Sequence, residues 1–189
     1  MTIQQSCDKI NNVMCNEQFT KYYSLNDSDF NILFTSLDLI EDCQNAIEEY
    51  EGIPEDEFPL RSTLYIYGVL QSMYCQQDGL FHLYEIILND KRINEDEFYK
   101  RYNFTQIRAI RNDIAGHPSY RNKGKKVYFI AKGPNSKYKF KYAGYTPGFR
   151  EVHVDLKKHI EEQSYSSIIA LIDIKDAISK NIQLPKDKF

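Results

Sequence analysis

The sequence predicts a mainly α chain: a helical bundle of four main helices with a small antiparallel β insertion before the last helix. Two observations carry this. Apolar residues recur every three or four positions over most of the chain from Asn26 onward. Between about 127 and 154 that period gives way to alternation, the signature of strands. Residues 1–25 are taken as an N-terminal segment, and residues 26–189 as one helical domain carrying the insertion.

The first long helix is expected from Asn26 or Ser28, whose side chains can accept hydrogen bonds from the free N–H groups of a first turn. Phe30, Leu33, Phe34, Leu37, Ile40 and Ile47 form its apolar face, and Gly52 and Pro54 stop it. Pro59 suits the first turn of a second helix reaching about Asn89. Its apolar residues are Leu60, Leu64, Leu70, Met73, Tyr74, Phe81, Tyr84, Ile87 and Leu88, with Gly68 and Gly79 as weak points. A short helix around Glu95–Tyr102 follows. Asn103 or Thr105 then caps a third main helix with Ile107, Ile110 and Ile114 on one face. Gly116 is expected there as a left-handed C-terminal residue, and Pro118 prevents continuation.

From Lys137 to Tyr142 charge and ring alternate, as in a strand with one cationic and one aromatic face. Val127–Ala131 is its expected partner, and Gly133-Pro134-Asn135-Ser136 a turn between them. Glu151–Val154 adds a third strand. Asp155 then starts a last helix bearing Leu156, Ile160, Ile168, Leu171, Ile172, Ile178 and Ile182.

At 42% hydrophobic and 27% charged, the 189 residues have the composition of a globular chain. No run of 18 apolar residues occurs, so no membrane span and no membrane partner are expected. The start, MTIQQSCDKINN, lacks an apolar core behind a basic end, so no secretory signal is expected. Cys7, Cys15, Cys43 and Cys75 are spaced by 8, 28 and 32 residues, without a CxxC pair. They read as reduced thiols of a cytoplasmic protein rather than zinc ligands or disulfides. His82, His153 and His159 show no metal-ligand spacing either, and no glycine-rich phosphate loop is present. No metal and no cofactor are expected.

The net charge of −3 conceals a strong asymmetry. Twelve basic residues and one acid, Asp113, lie between Arg101 and Arg150, a surplus of eleven positive charges that leaves the rest of the chain at −14. One reading is a solvated hairpin and loop. The other is a cationic surface that attracts nucleic acid. The candidate RNA contacts are Arg108, Arg121, Lys123, Lys125, Lys126, Lys137, Lys139 and Lys141. Tyr138, Phe140 and Tyr142 either stack on bases or pack the hairpin onto the bundle.

The segment suited to chemistry is Arg108–Pro118, RAIRNDIAGHP. An arginine grips a phosphate through two parallel hydrogen bonds and stays charged, and a histidine moves protons near neutrality. In an unbroken helix the six steps from Arg111 to His117 turn about 600°, leaving the two about 120° apart. A helix end at Gly116 lets the chain bring His117 back toward Arg111. The plainer alternative is that Asp113 pairs with a neighbouring arginine and His117 only caps a helix end. Gln71, Gln76, Gln77 and Asp78 interrupt the second helix and read as a solvated face or as support for this site.

Arg111-Asn112-Asp113-Ile114-Ala115-Gly116-His117, an Arg-Asn-x4-His motif at the end of the third main helix, resembles that of the HEPN superfamily. The resemblance extends to the helix order from about Asn26 onward and implies a HEPN-like helical bundle. It implies a metal-independent endoribonuclease, with Arg111, Asn112 and His117 as catalytic residues and RNA as substrate. Arg111 would stabilise phosphoryl charge, Asn112 would orient the phosphate or His117, and His117 would transfer protons. A homodimer with facing motifs, and an antitoxin partner in a toxin or phage-defence system, follow from the same resemblance. The alternative is a HEPN-like module without catalysis that binds RNA or protein. The β insertion lies outside the minimal family core.

Overall fold

A computed structural model of the chain describes residues 1–58, 63–88, 93–116, 123–131 and 136–182. It is mainly helical, with a three-stranded antiparallel sheet before the last helix. The helices are α1 (Ile3–Met14), α2 (Glu17–Tyr23), α3 (Asp27–Gly52), α4 (Thr63–Leu88), α5 (Glu95–Arg101), α6 (Thr105–Arg111) and α7 (Leu156–Ile182). A single π-helical turn, Asn112–Gly116, continues α6. The strands are β1 (Val127–Ile130), β2 (Lys139–Tyr145) and β3 (Phe149–Asp155). Three helices are long, whereas the expected third main helix is seven residues plus the π-helical turn. The expected positions of Pro59, Leu60, Asn89, Pro118 and the Gly133–Asn135 turn lie outside the described residues.

The chain divides into two compact units. The first comprises Met1–Asn45, Cys75–Phe104 and Ser164–Phe189. Its first 25 residues are two helices set into the core. Thr2 and Gln5 form a reciprocal cap at the start of α1: Gln5 N donates to Thr2 Oγ1 at 3.1 Å and Thr2 N to Gln5 Oε1 at 3.0 Å. Cys7, Ile10 and Met14 then fall on one face, fully buried beside Phe19, Leu33, Ile40 and Leu171. Asn26 caps α3 by accepting from Asp29 N at 2.9 Å, as expected. Phe98 of α5 anchors an aromatic cluster, its ring centroid 4.8 Å from that of Tyr102 and 5.2 Å from that of Tyr84. Tyr102 donates its hydroxyl to Asp173 Oδ2 at 2.6 Å, so this polar tip is satisfied.

The second unit comprises Ala46–Tyr74 and Thr105–Gln163. Its strands run in the order β1-β2-β3. Val127 pairs with Tyr145, Phe129 with Ala143, Lys141 with His153 and Tyr145 with Phe149. One sheet face carries Tyr128, Ile130, Phe140, Tyr142, Val152 and Val154 onto a core of Ile66, Leu70, Met73, Ile107, Ile110 and Ile114. Gly144 keeps β1 and β2 close, since a β-carbon there would run into the Val127 carbonyl and the Tyr128 ring. Asp155 starts α7 by accepting from Lys158 N at 3.3 Å. Leu64, expected on the buried face of α4, is 79% exposed; Ile66, Val69, Leu70 and Met73 form that face instead.

Lys137 departs from the sequence expectation. It precedes β2 and is only 3% exposed. Its Nζ donates to the carbonyls of Glu51 at 2.5 Å and Ile53 at 2.6 Å, groups that the end of α3 leaves without helical partners. Tyr50 donates its hydroxyl to the Lys137 carbonyl, and burial pushes that phenol well above its ordinary range, keeping the donor protonated. Lys137 is therefore a buried cap on α3 and not a surface contact for RNA.

Candidate active site

The motif is built on two helices of the second unit. On α4, Gln71 and Tyr74 are three residues apart and share a face; on α6, Arg108 and Arg111 do the same. The two faces meet. Arg111 donates from Nε at 2.9 Å and from Nη2 at 2.7 Å to the single Oε1 of Gln71. Its Nη1 donates to Asn112 Oδ1 at 3.0 Å. The guanidinium carbon lies 4.3 Å from the Tyr74 ring centroid, and that of Arg108 lies 3.9 Å from the same ring.

These contacts fix the plane of Arg111 without cancelling its charge. Its hydrogen-bond partners among the described residues, Gln71 and Asn112, are neutral. They occupy three of the five guanidinium N–H groups, and the other two bond to no group among the described residues. Arginine is donor-only, so Asn112 must turn its oxygen toward it, and the amide NH2 of Asn112 is then directed elsewhere. In the structure, Asn112 Oδ1 thus helps to hold Arg111 in place.

Gly116 does not take the left-handed conformation expected for it, because the π-helical turn continues through it. Space explains the glycine. A β-carbon there would stand 2.9 Å from Arg111 Nη1 and 3.2 Å from Asn112 Oδ1. The wider π-helical turn and the missing side chain together let the guanidinium lie along the backbone. Asp113 accepts from the Tyr142 hydroxyl at 3.2 Å and ties the turn to β2.

His117 and Arg121 lie outside the described residues. Of the other candidate RNA contacts, Lys123, Lys125 and Lys139 are exposed, and Arg108 and Lys126 are half-buried. Lys141 is exposed but paired, its Nζ 3.1 Å from Glu151 Oε1, which also receives His153 Nε2 at 3.0 Å. Lys141 first, and His153 with it, hold the Glu151 carboxyl below its ordinary range. Phe140 and Tyr142 are buried, so these two rings pack the hairpin onto the core and are closed to bases, while half-buried Tyr138 packs against the same core.

Gln71 was legible only as one of several polar residues in α4, and Tyr74 only as an apolar-face residue; helix pairing supplies their role. Gln76, by contrast, donates to Gln44 at 3.0 Å and Asp78 accepts from Tyr99 at 2.7 Å, both within the first unit. A groove of about 490 Å³ on the second unit, lined by Tyr50, Ile53, Leu64, Tyr65 and Val69 among others, contains no motif residue. No family model, no curated protein and no solved structure matches the chain.

Proposed function

We propose that this chain is a metal-independent endoribonuclease of the HEPN type, acting as a homodimer in a toxin or phage-defence system that includes an antitoxin. The observation that carries the reading is the cradle of Arg111. The guanidinium is held by Gln71, Asn112 and Tyr74, and two of its N–H groups, unbonded among the described residues, can meet a phosphate. A surface arginine without function gains little from such a neutral setting, whereas a preorganised cation is what charge developing on a phosphoryl group requires.

In this reading the 2′-oxygen of RNA attacks the adjacent phosphorus as its proton passes to a base. The bond from phosphorus to the 5′-oxygen breaks, and that oxygen takes up a proton. The products are a 2′,3′-cyclic phosphate and a 5′-hydroxyl. His117 is assigned the proton transfers, worth about 10²–10⁴-fold. Two copies of the chain would supply separate acid and base. Arg111 neutralises the charge on the non-bridging oxygens, and Asn112 keeps it aimed.

The test is end-labelled RNA incubated with purified protein in excess chelator, with end-group analysis of the fragments. Cyclic phosphate and 5′-hydroxyl ends support the assignment. RNA bound but never cut identifies a binding module instead. Sedimentation showing an active strict monomer at micromolar concentration would remove the two-copy site.

A further inference from the structure

The rings exposed on the sheet are not those that the alternation picks out. Phe129 is 47% exposed, Tyr145 58% and Phe149 59%. By register they share the face opposite Phe140 and Tyr142: Tyr145 faces Phe149, and Phe129 faces Ala143, the inner neighbour of Tyr145 on that side. The Tyr145 and Phe149 rings meet at 5.6 Å with planes inclined by 64°. Phe129 stands diagonally from Tyr145, a spacing of about 7–8 Å in an antiparallel pair.

Two exposed cations precede the first strand at this end of the sheet. Exposed Lys123 and Lys125 lead into Val127, which pairs with Tyr145 and so shares its face. No carboxylate occurs from Ile114 to Arg150. Glu151, on the ring-bearing face, is already held by Lys141 and His153. Cores of protein–protein interfaces are poor in lysine, whereas rings on a sheet with cations at its rim suit stacked bases and a phosphate backbone.

We infer that the outer face of this sheet binds single-stranded RNA, stacking bases on Phe129, Tyr145 and Phe149 while Lys123 and Lys125 hold phosphates. The choice of RNA as the nucleic acid rests on the function proposed above. The face is separate from the Arg111 cradle, so binding here holds substrate and does not react with it.

The experiment is fluorescence anisotropy of the full chain with a labelled 12-nucleotide 2′-O-methyl RNA, which lacks the nucleophile and is not cut. A variant carrying Phe129→Leu, Tyr145→Leu and Phe149→Leu keeps apolar surface but removes the rings. Its Kd should rise by about 100-fold or more, as expected from losing stacking at three positions. Replacing Lys123 and Lys125 with Gln should flatten the log–log salt slope by about 1.4. An unchanged Kd in the leucine variant, or equal affinity for duplex and single strand, overturns the inference. So does a leucine variant that unfolds while single Tyr145→Leu and Phe149→Leu variants, folded by circular dichroism, bind as tightly as the parent. Cleavage of unmodified RNA is read separately. Cutting that survives in Arg111→Ala defeats the proposed function and leaves the stacking face intact. Ring variants that bind normally defeat the face alone.

Discussion

Gln71 Oε1 accepts both Nε at 2.9 Å and Nη2 at 2.7 Å of Arg111, so one neutral oxygen sets the plane of the motif arginine. Forty residues separate them in sequence, and no local pattern announces the pair. The consequences of this cradle can be tested residue by residue.

Replacing Gln71 with Leu should leave the helices folded, at a cost of about 1–2 kcal/mol for the lost bonds to a charged group. RNA cleavage should fall by about 10- to 100-fold because Arg111 is no longer aimed. Gln71→Glu should also slow cleavage, now by neutralising the arginine. Single-turnover rates on both variants, beside urea midpoints, check this.

Gly116→Ala should separate stability from activity. The added methyl meets Arg111 Nη1 first, the far end of a flexible chain, which can swing away. Stability should change by less than about 1 kcal/mol, while cleavage falls as far as in Gln71→Leu. Equal activity in a folded Gly116→Ala protein would show that the guanidinium need not lie there.

Lys137→Met should destabilise by about 2–4 kcal/mol, because the last carbonyls of α3 lose their charged donor in a buried site. Lys139→Gln, exposed on β2, should stay within about 0.5 kcal/mol of the parent. Chemical denaturation of the pair measures the difference. A joint replacement of Lys137, Lys139 and Lys141 would confound folding with RNA contact.

Much of the fold could be read from period and punctuation. The apolar spacing of α3 and α7, the Asn26 cap, the stop at Gly52 and the alternation of β2 are local signals, and local signals survive folding. Alternation also predicted that Phe140 and Tyr142 share a face, though not which face turns inward; that depends on Ile107, Ile110 and Ile114 lying beneath. Lys137 continued the alternating pattern but sits before the strand, where the carbonyls at the end of α3 claim it. The N-terminal helices were missed although Thr2-x-x-Gln5 is a capping box and Ile3, Cys7, Ile10 and Met14 have helical spacing. At the site, Arg111 and Asn112 were visible as a motif. The reason for Gly116 was not, because a π-helical turn leaves no sequence mark distinct from a helix end.

The cysteines give a pH-dependent prediction. Burial, reinforced by Glu41 and Asp8, pushes the Cys7 thiol up to about 12; burial, with Cys75 and Asp42, does the same for Cys43. In the unfolded chain both return to about 9.0. Raised folded values favour the protonated thiol, so their contribution is complete below pH 9 and is lost as pH rises from about 9 to about 12. The urea midpoint should fall across that window. Iodoacetamide at pH about 8 should label exposed Cys15 in the native protein, with Cys7 and Cys43 labelled only on unfolding.

The central claim is that Arg111 and His117 cut RNA, and the most direct measurement is cleavage of one labelled RNA in chelator by the parent, Arg111→Ala and His117→Ala proteins. Circular dichroism on the same preparations establishes that each is folded. The account predicts cyclic-phosphate products from the parent and a loss of at least about 100-fold in each folded variant. Full cleavage by folded His117→Ala, or none by the parent, would contradict it.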